Sequence, residues 1–177
     1  MNLKDDFHIV VSNKDIIKLM DNIETNIFAD ERLIDDFVQT KKFLSQNYPF
    51  EYAILINTAT IISNVLLEPE FGPVELIEHK LNKGHHNGNT VYHYDKTGGD
   101  QPDGVYKDID FICLYYFNTL QTGPLCVKNK YNEYFYYPKK GNLAIINELN
   151  PTVEHKIEPY DWKNTERYTA RFGFKLL

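Results

Sequence analysis

The chain has 177 residues, of which 42% are hydrophobic and 25% charged, a composition typical of one soluble globular domain. Its net charge of −6, with no basic stripe, argues against a nucleic-acid partner. The N-terminus is acidic where a secretory signal would be basic, and the longest apolar stretch, 52–67, contains several polar residues. We therefore expect a cytoplasmic protein without a membrane partner and with two buried, reduced cysteines; the sequence leaves the oligomeric state open.

The first part of the chain, residues 1–73, is predicted to be mainly helical. Ser12 followed by Asp15 resembles a capping box, and apolar residues recur at helical spacing after it. Segment 52–67 is ambiguous, because its length favours a helix and its β-branched residues favour a strand. The expected elements are a strand at 7–11, a helix after Ser12, a second helix from about Asp30, and segment 52–67.

The second part, residues 74–177, is predicted to consist of short strands separated by turns, which indicates a sandwich or barrel. The segment 110–118 is strongly apolar and is therefore expected to be a central strand. We predict a single domain, 1–177, that is mainly β with N-terminal helices (α+β). The expected strands are 74–81, 90–93, 110–118, 125–128, 133–137, 143–147, 154–158 and 167–175.

A possible metal site begins at His93-Tyr94-Asp95. In an extended backbone, residues two positions apart face the same side, so the imidazole and the carboxylate can reach one ion. His155 lies in a later strand-like segment and can supply a second imidazole. Two histidines and one carboxylate suit Fe(II), because they leave coordination positions open. A His-x-Asp pair by itself is more often a surface ion pair, and His155 could be a core histidine.

Short motifs after Asp95 follow one another in a characteristic order. They are LYYFN at 114–118, GPL at 123–125, PKKGNLAIIN at 138–147, EHKIEP at 154–159 and RYTARFGF at 167–174. In the order and spacing of these motifs, the sequence resembles the prolyl-hydroxylase-like branch of the 2-oxoglutarate/Fe(II) oxygenases. That resemblance implies a double-stranded β-helix (jelly-roll, cupin-like), with Fe(II), 2-oxoglutarate as co-substrate, O2, and ascorbate as a candidate reductant.

The resemblance also implies roles for individual residues. A guanidinium suits the distal carboxylate of 2-oxoglutarate, since it forms two parallel charge-assisted bonds. The stretch before Arg167 is longer than in related prolyl hydroxylases, so a shift in register would make Arg171 the co-substrate residue. The matched residues are His93, Asp95 and His155 for the metal, and Arg167, Thr169 and Tyr115 for 2-oxoglutarate.

Arg171 carries the prediction about the substrate. Strand alternation places Arg167, Thr169, Arg171 and Gly173 on one face. A second inward arginine needs an anionic partner. Gly173 stands where relatives often have a bulky residue and is expected to leave room nearby. We therefore predict that Arg171 binds a small anionic substrate, with no Asp or Glu within about 4 Å.

The sequence thus predicts a 2-oxoglutarate- and Fe(II)-dependent dioxygenase that hydroxylates an unactivated C–H bond of a small anionic molecule, such as a free amino acid. Asp95 favours hydroxylation over halogenation, although desaturation and cyclisation use the same three ligands. Two alternatives remain open: a prolyl or other side-chain hydroxylase acting on a peptide or protein, and a non-catalytic metal-binding jelly-roll.

Overall fold

The computed structural model describes residues 5–11, 13–23, 25–30, 37–84, 92–93, 109–158 and 166–177. Eight strands and four α-helices lie in these ranges, together with one 3-10 and one π-helical segment. The strands are β1 Phe7–Val11, β2 Val74–Gly84, β3 Phe111–Tyr116, β4 Leu125–Lys128, β5 Glu133–Tyr136, β6 Asn142–Asn147, β7 Glu154–Ile157 and β8 Arg167–Leu176. Residues 90 and 91 of the strand expected at 90–93 lie outside the described residues.

The strands form two antiparallel sheets. The larger has the order β1-β6-β3-β8-β2, and the smaller has the order β5-β4-β7. As expected from its apolar sequence, β3 is central, with β6 on one side and β8 on the other. His93 forms an isolated antiparallel bridge with His155, so it lies beside β7 at the edge of the smaller sheet.

Helices cover one side of the larger sheet. They are α1 Lys14–Met20, α2 Phe37–Asn47, α3 Pro49–Ile61 and α4 Glu68–Phe71, with a 3-10 turn at Thr25–Ala29 and a π-helical segment at Ile62–Leu67. The prediction of a mainly β protein with N-terminal helices is confirmed, and segment 52–67 is helical. The cap of α1 is Asn13 rather than Ser12, since the Asn13 side chain accepts hydrogen bonds from the amides of Asp15 and Ile16.

The helical stretch Pro49–Phe71 is 23 residues long and, judged by length and composition alone, could cross a membrane. The sequence predicted no membrane partner, because segment 52–67 contains several polar residues. In the fold this stretch contacts α1, α2 and β2, and Leu55, Ile62 and Leu67 are fully buried in the core that it shares with the larger sheet. The buried apolar residues of the stretch therefore have a packing role in this structure.

The larger sheet separates two hydrophobic clusters. Its helix face contributes Phe111, Cys113, Ala170, Phe172 and Phe174 to the cluster shared with the helices. Its inner face, which looks toward the smaller sheet, contributes a second cluster: Ile112, Tyr116, Ala144 and Ile146, packed with Leu125 and Val127 of the smaller sheet. Both cysteines are buried free thiols, as predicted.

Candidate functional site

The inner face of β8 carries the polar residues that the sequence singled out. Because Ala170, Phe172 and Phe174 pack against the helices, strand alternation turns Arg167, Thr169, Arg171 and Gly173 toward the smaller sheet. Arg167 is 3% exposed and Thr169 6% exposed. The prediction that these four residues share one inward face is confirmed. This face of β8 forms one side of the candidate site.

The two candidate metal-binding histidines are brought together by backbone pairing. The amide of His93 donates to the carbonyl of His155 at 3.1 Å, and the amide of His155 donates back at 2.9 Å. This reciprocal pair holds the two imidazole rings with their centroids 4.3 Å apart. His155 is opposite Val127, a member of the inner cluster, so its side chain also faces the larger sheet.

Asp95, the predicted carboxylate ligand, lies outside the described residues. Within the described part of the chain, no group of three His, Cys, Asp or Glu residues is arranged to hold a metal. The two imidazoles can supply two ligands to a metal ion, and the third ligand would then come from a residue outside the described ranges. The metal triad of His93, Asp95 and His155 therefore stays a prediction, of which the structure places two members side by side.

Glu148 is a buried carboxylate beside this pair that the sequence did not single out. It follows β6 directly and is 0% exposed. Its Oε1 atom lies 3.2 Å from Nδ1 of His155. Its own backbone amide donates to the carbonyl of Asp110 at 2.8 Å, which fixes the position of the residue against the larger sheet.

Arg167 lies beside Tyr116 on the inner face. The guanidinium carbon is 5.5 Å from the centroid of the Tyr116 ring. Burial raises the pKa of the Tyr116 phenol to about 12, and the positive charge of Arg167 opposes part of that rise. The phenol is therefore protonated at neutral pH and can donate a hydrogen bond to an anion held by Arg167.

Tyr115, predicted to reach the co-substrate, is on the wrong face. Its ring packs in the helix-side cluster, 5.1 Å from the ring of Phe117. Successive residues of a strand point to opposite faces, so Tyr116 occupies the position that the prediction gave to Tyr115. The sequence could not separate them, because β3 is apolar on both faces and shows no alternation.

Asn118 holds the start of β8. Its side-chain amide donates to the carbonyl of Glu166 at 2.5 Å, and its side-chain oxygen accepts from the amide of Tyr168 at 3.1 Å. The two bonds fix the residues on either side of Arg167. The LYYFN segment therefore contributes to the site twice, through the phenol of Tyr116 and through this backbone clamp.

Tyr92, the residue before His93, is anchored to the smaller sheet. Its ring lies 4.0 Å from Nζ of Lys128 and 4.6 Å from Nζ of Lys156, and its phenol donates to the carboxylate of Glu133. These contacts anchor the residue before His93 to all three strands of the smaller sheet. Together with the backbone bridge, they fix the chain that carries the first histidine.

The prediction for Arg171 is wrong. Its Nε atom lies 3.4 Å from Oε2 of Glu78, a carboxylate that is 0% exposed and also 3.4 Å from Nζ of Lys80. The anionic partner of Arg171 is thus within the protein. The space expected at Gly173 is filled as well, because a Cβ there would come within 2.9 Å of the Ile109 side chain.

The fold has known relatives among solved structures. The chain is similar to a 2OG-Fe(II) oxygenase family oxidoreductase from Burkholderia pseudomallei, with a TM-score of 0.54 and 13% identity, covering 74% of this chain but only 60% of that one. It is similar to a prolyl hydroxylase from Trichoplax adhaerens in complex with a hypoxia-inducible-factor peptide fragment, with a TM-score of 0.61, 10% identity and coverage of 98% and 84%. It is also similar to HygX from Streptomyces hygroscopicus with nickel and 2-oxoglutarate bound, with a TM-score of 0.54, 14% identity and coverage of 96% and 81%.

No protein-family model matches the chain, and no curated protein is similar to it in sequence. At identities of 10–14%, the structural matches show a shared fold. The protein therefore has the double-stranded β-helix of the 2-oxoglutarate/Fe(II) oxygenases and prolyl hydroxylases, as the sequence predicted.

Proposed function

We propose that this protein is a 2-oxoglutarate- and Fe(II)-dependent dioxygenase that hydroxylates a C–H bond. One observation carries the proposal: the backbone bridge between His93 and His155 sets two imidazoles side by side, their ring centroids 4.3 Å apart, at the edge of the smaller sheet. The inner face of the opposite sheet carries a buried arginine, Arg167. Two imidazoles that could bind iron and a guanidinium that could bind the co-substrate carboxylate are among the groups that such a reaction needs.

The metal would be held by His93, His155 and Asp95. Neutral imidazoles and a carboxylate suit Fe(II), because three protein ligands leave positions for a co-substrate and dioxygen. When bound, the iron supplies the redox chemistry in which O2 oxidatively decarboxylates 2-oxoglutarate to succinate and CO2 and adds one oxygen atom to the substrate C–H bond. The chain's own contribution is to fix these ligands in place.

Arg167 and Tyr116 would bind 2-oxoglutarate. The guanidinium pairs with the distal carboxylate, and the protonated phenol donates a further hydrogen bond. Thr169 is directly opposite Tyr116 in the register of β3 and β8, which favours a third donor from its hydroxyl. Because all three groups are nearly inaccessible to water, the charge pair they form with the carboxylate is strengthened by a low local dielectric.

We further propose a peptide or protein side chain as the substrate. The ion pair between Arg171 and Glu78 removes the reason to expect a small anionic molecule, because the guanidinium has a carboxylate within the protein. The Trichoplax adhaerens prolyl hydroxylase, which has the same fold, is described in complex with a peptide fragment. A side chain presented by a peptide needs no countercharge inside the site.

The activity is tested by following succinate formation with iron, 2-oxoglutarate and O2. Replacing His93 or Asp95 by Ala should abolish it while leaving the circular dichroism spectrum unchanged. His8→Ala is a matched control, since His8 lies in β1 and its ring contacts the backbone of Asp5. Retained turnover in both ligand variants would contradict the metal assignment, and iron binding without turnover would favour a non-catalytic jelly-roll.

The substrate is tested by a mass-spectrometric screen of a peptide library and of free amino acids for a gain of one oxygen atom. We expect the strongest signal from peptides. A free acidic or zwitterionic small molecule as the best substrate would contradict the inference drawn from Arg171 and Glu78, without affecting the assignment of the reaction type.

A further inference from the structure

We infer that Glu148 is a positioning residue that holds His155 in the orientation and tautomer needed to bind the metal. The inference rests on the proposed function, because it concerns the same metal site. It begins from the 3.2 Å approach of Glu148 Oε1 to His155 Nδ1. A carboxylate this close to Nδ1 favours the tautomer that carries its proton there, which leaves the lone pair on Nε2.

Both side chains in this contact are buried. Glu148 is 0% exposed and His155 only 7% exposed. A carboxylate removed from water needs polar neighbours within the protein, and the His155 imidazole is one that the fold holds in place.

The fold fixes both partners independently of any metal. His155 is tied through its backbone to His93 on one side, and on the other side its strand, β7, pairs with β4. Glu148 is tied through its amide to Asp110, and Asp110 in turn donates its own amide to the carbonyl of Phe174 at 2.8 Å. The backbone of Glu148 is therefore anchored to the larger sheet and that of His155 to the smaller one. Because both backbones are held in place, the contact between the two side chains fixes the orientation of the His155 ring.

Glu148 also differs from the neighbouring carboxylate Glu154, which supplies a matched control. Glu154 precedes His155 directly in β7, and its side chain is 40% exposed and pairs with Lys128 at 2.9 Å. Both residues are glutamates close to His155, but the Glu148 carboxylate approaches the imidazole, whereas the Glu154 carboxylate pairs with Lys128. A general effect of negative charge near the site would act through both, whereas positioning acts through Glu148 alone.

The test is calorimetric titration of the metal-free protein with Ni(II) alone, which requires no turnover. We expect Glu148→Ala to weaken Ni(II) binding about 10- to 100-fold. Glu148→Gln, which keeps an acceptor oxygen without the charge, should bind between that variant and wild type. Glu154→Gln should bind like wild type, and His155→Ala should lose high-affinity binding.

The outcomes separate this inference from the proposed function. Wild type that binds no Ni(II), or binds equally well after His155→Ala, would overturn the metal site itself. Wild-type binding lost in His155→Ala but unchanged in folded Glu148→Gln and Glu148→Ala would overturn only the positioning role. Should Glu148→Ala fail to fold, Glu148→Gln decides: affinity equal to that of Glu154→Gln contradicts the inference, and weaker affinity supports it.

Discussion

The two faces of the larger sheet use the same strands for different purposes. The helix face buries aromatic and aliphatic side chains such as Phe111, Phe172 and Phe174. The inner face of the same strands buries Arg167, Thr169 and Glu78. Burying polar and charged groups costs free energy unless they find partners, so the inner face adds less to stability than an apolar face of equal area.

This division indicates how the fold combines stability with chemistry. Packing against the helices stabilises the sheet from one side, which allows the other side to carry charges at close range. Substitutions on the two faces should therefore have separable effects: on the free energy of unfolding for the helix face, and on ligand affinity for the inner face.

Arg167→Met on the inner face should raise the Michaelis constant for 2-oxoglutarate by at least about a hundredfold, because losing one partner of a buried charge pair costs about 3–5 kcal/mol. The Michaelis constant for iron should change little. Arg171→Met is the comparison: it removes one cationic neighbour of Glu78 and should lower stability instead. A selective effect on 2-oxoglutarate in Arg171→Met alone would show that Arg171 binds the co-substrate.

Phe172→Ala on the helix face should lower the free energy of unfolding by about 3–5 kcal/mol, since it leaves a cavity in a fully buried cluster. Chemical denaturation measures this loss. Affinity for 2-oxoglutarate, corrected for the folded fraction, should stay close to that of wild type. A large change in affinity at unchanged stability would contradict the division between the faces.

His79 makes the stability of the helix face sensitive to acid. Burial, followed by the charge of Lys41, lowers the pKa of its imidazole to about 4. The unfolded chain takes up this proton near pH 6.5, whereas the native state resists protonation down to about pH 4, so stability falls between those values as the pH decreases.

The histidine's share of that loss is on the order of 3 kcal/mol, at about 1.36 kcal/mol for each unit of pKa shift. It is measured as the difference between wild type and His79→Phe in denaturation curves from pH 7 to pH 4. The variant should lose less stability over this range than wild type. Parallel losses in the two proteins would rule out His79 as the source.

Tyr116→Phe should weaken 2-oxoglutarate binding about tenfold, the effect of losing a hydrogen bond to a charged group of roughly 1.5 kcal/mol. Tyr115→Phe provides a matched control one residue away on the opposite face and should bind the co-substrate normally. Equal losses in both variants, or a loss only in Tyr115→Phe, would contradict the face assignment of β3.

Much of the fold could be predicted from the sequence. The succession of short strands followed from alternating apolar segments and turn residues, and β4 begins and ends where it was expected. The position of β3 at the centre of the sheet followed from its uninterrupted apolar sequence. The ambiguity of segment 52–67 followed from its composition, because apolar β-branched residues suit a buried helix and a strand equally well.

The site was predicted less completely, and the errors have physical causes. Tyr116 was mistaken for Tyr115 because a strand buried on both faces gives no alternation from which to assign its sides. Arg171 was assigned to a substrate because its partner, Glu78, lies 93 positions earlier in the chain. Glu148 was overlooked because the short segment between β6 and β7 carries no motif that separates a buried carboxylate from an exposed one.

By itself, the sequence determined the class of fold, because strand periodicity and the order of local motifs can be read along the chain. The same order of motifs singled out His93, His155 and Arg167 as candidate site residues. The tertiary structure alone decided which groups meet. A bulge between Leu76 and Glu78 reverses the alternation of β2 and turns Glu78 inward, opposite Gly173. Pairing between β2 and β8 then brings that carboxylate to Arg171, and no local pattern encodes a contact between residues so far apart in the chain. Glu148 and His155 are close in the chain but belong to segments of different sheets, so their contact depends on how the two sheets pack.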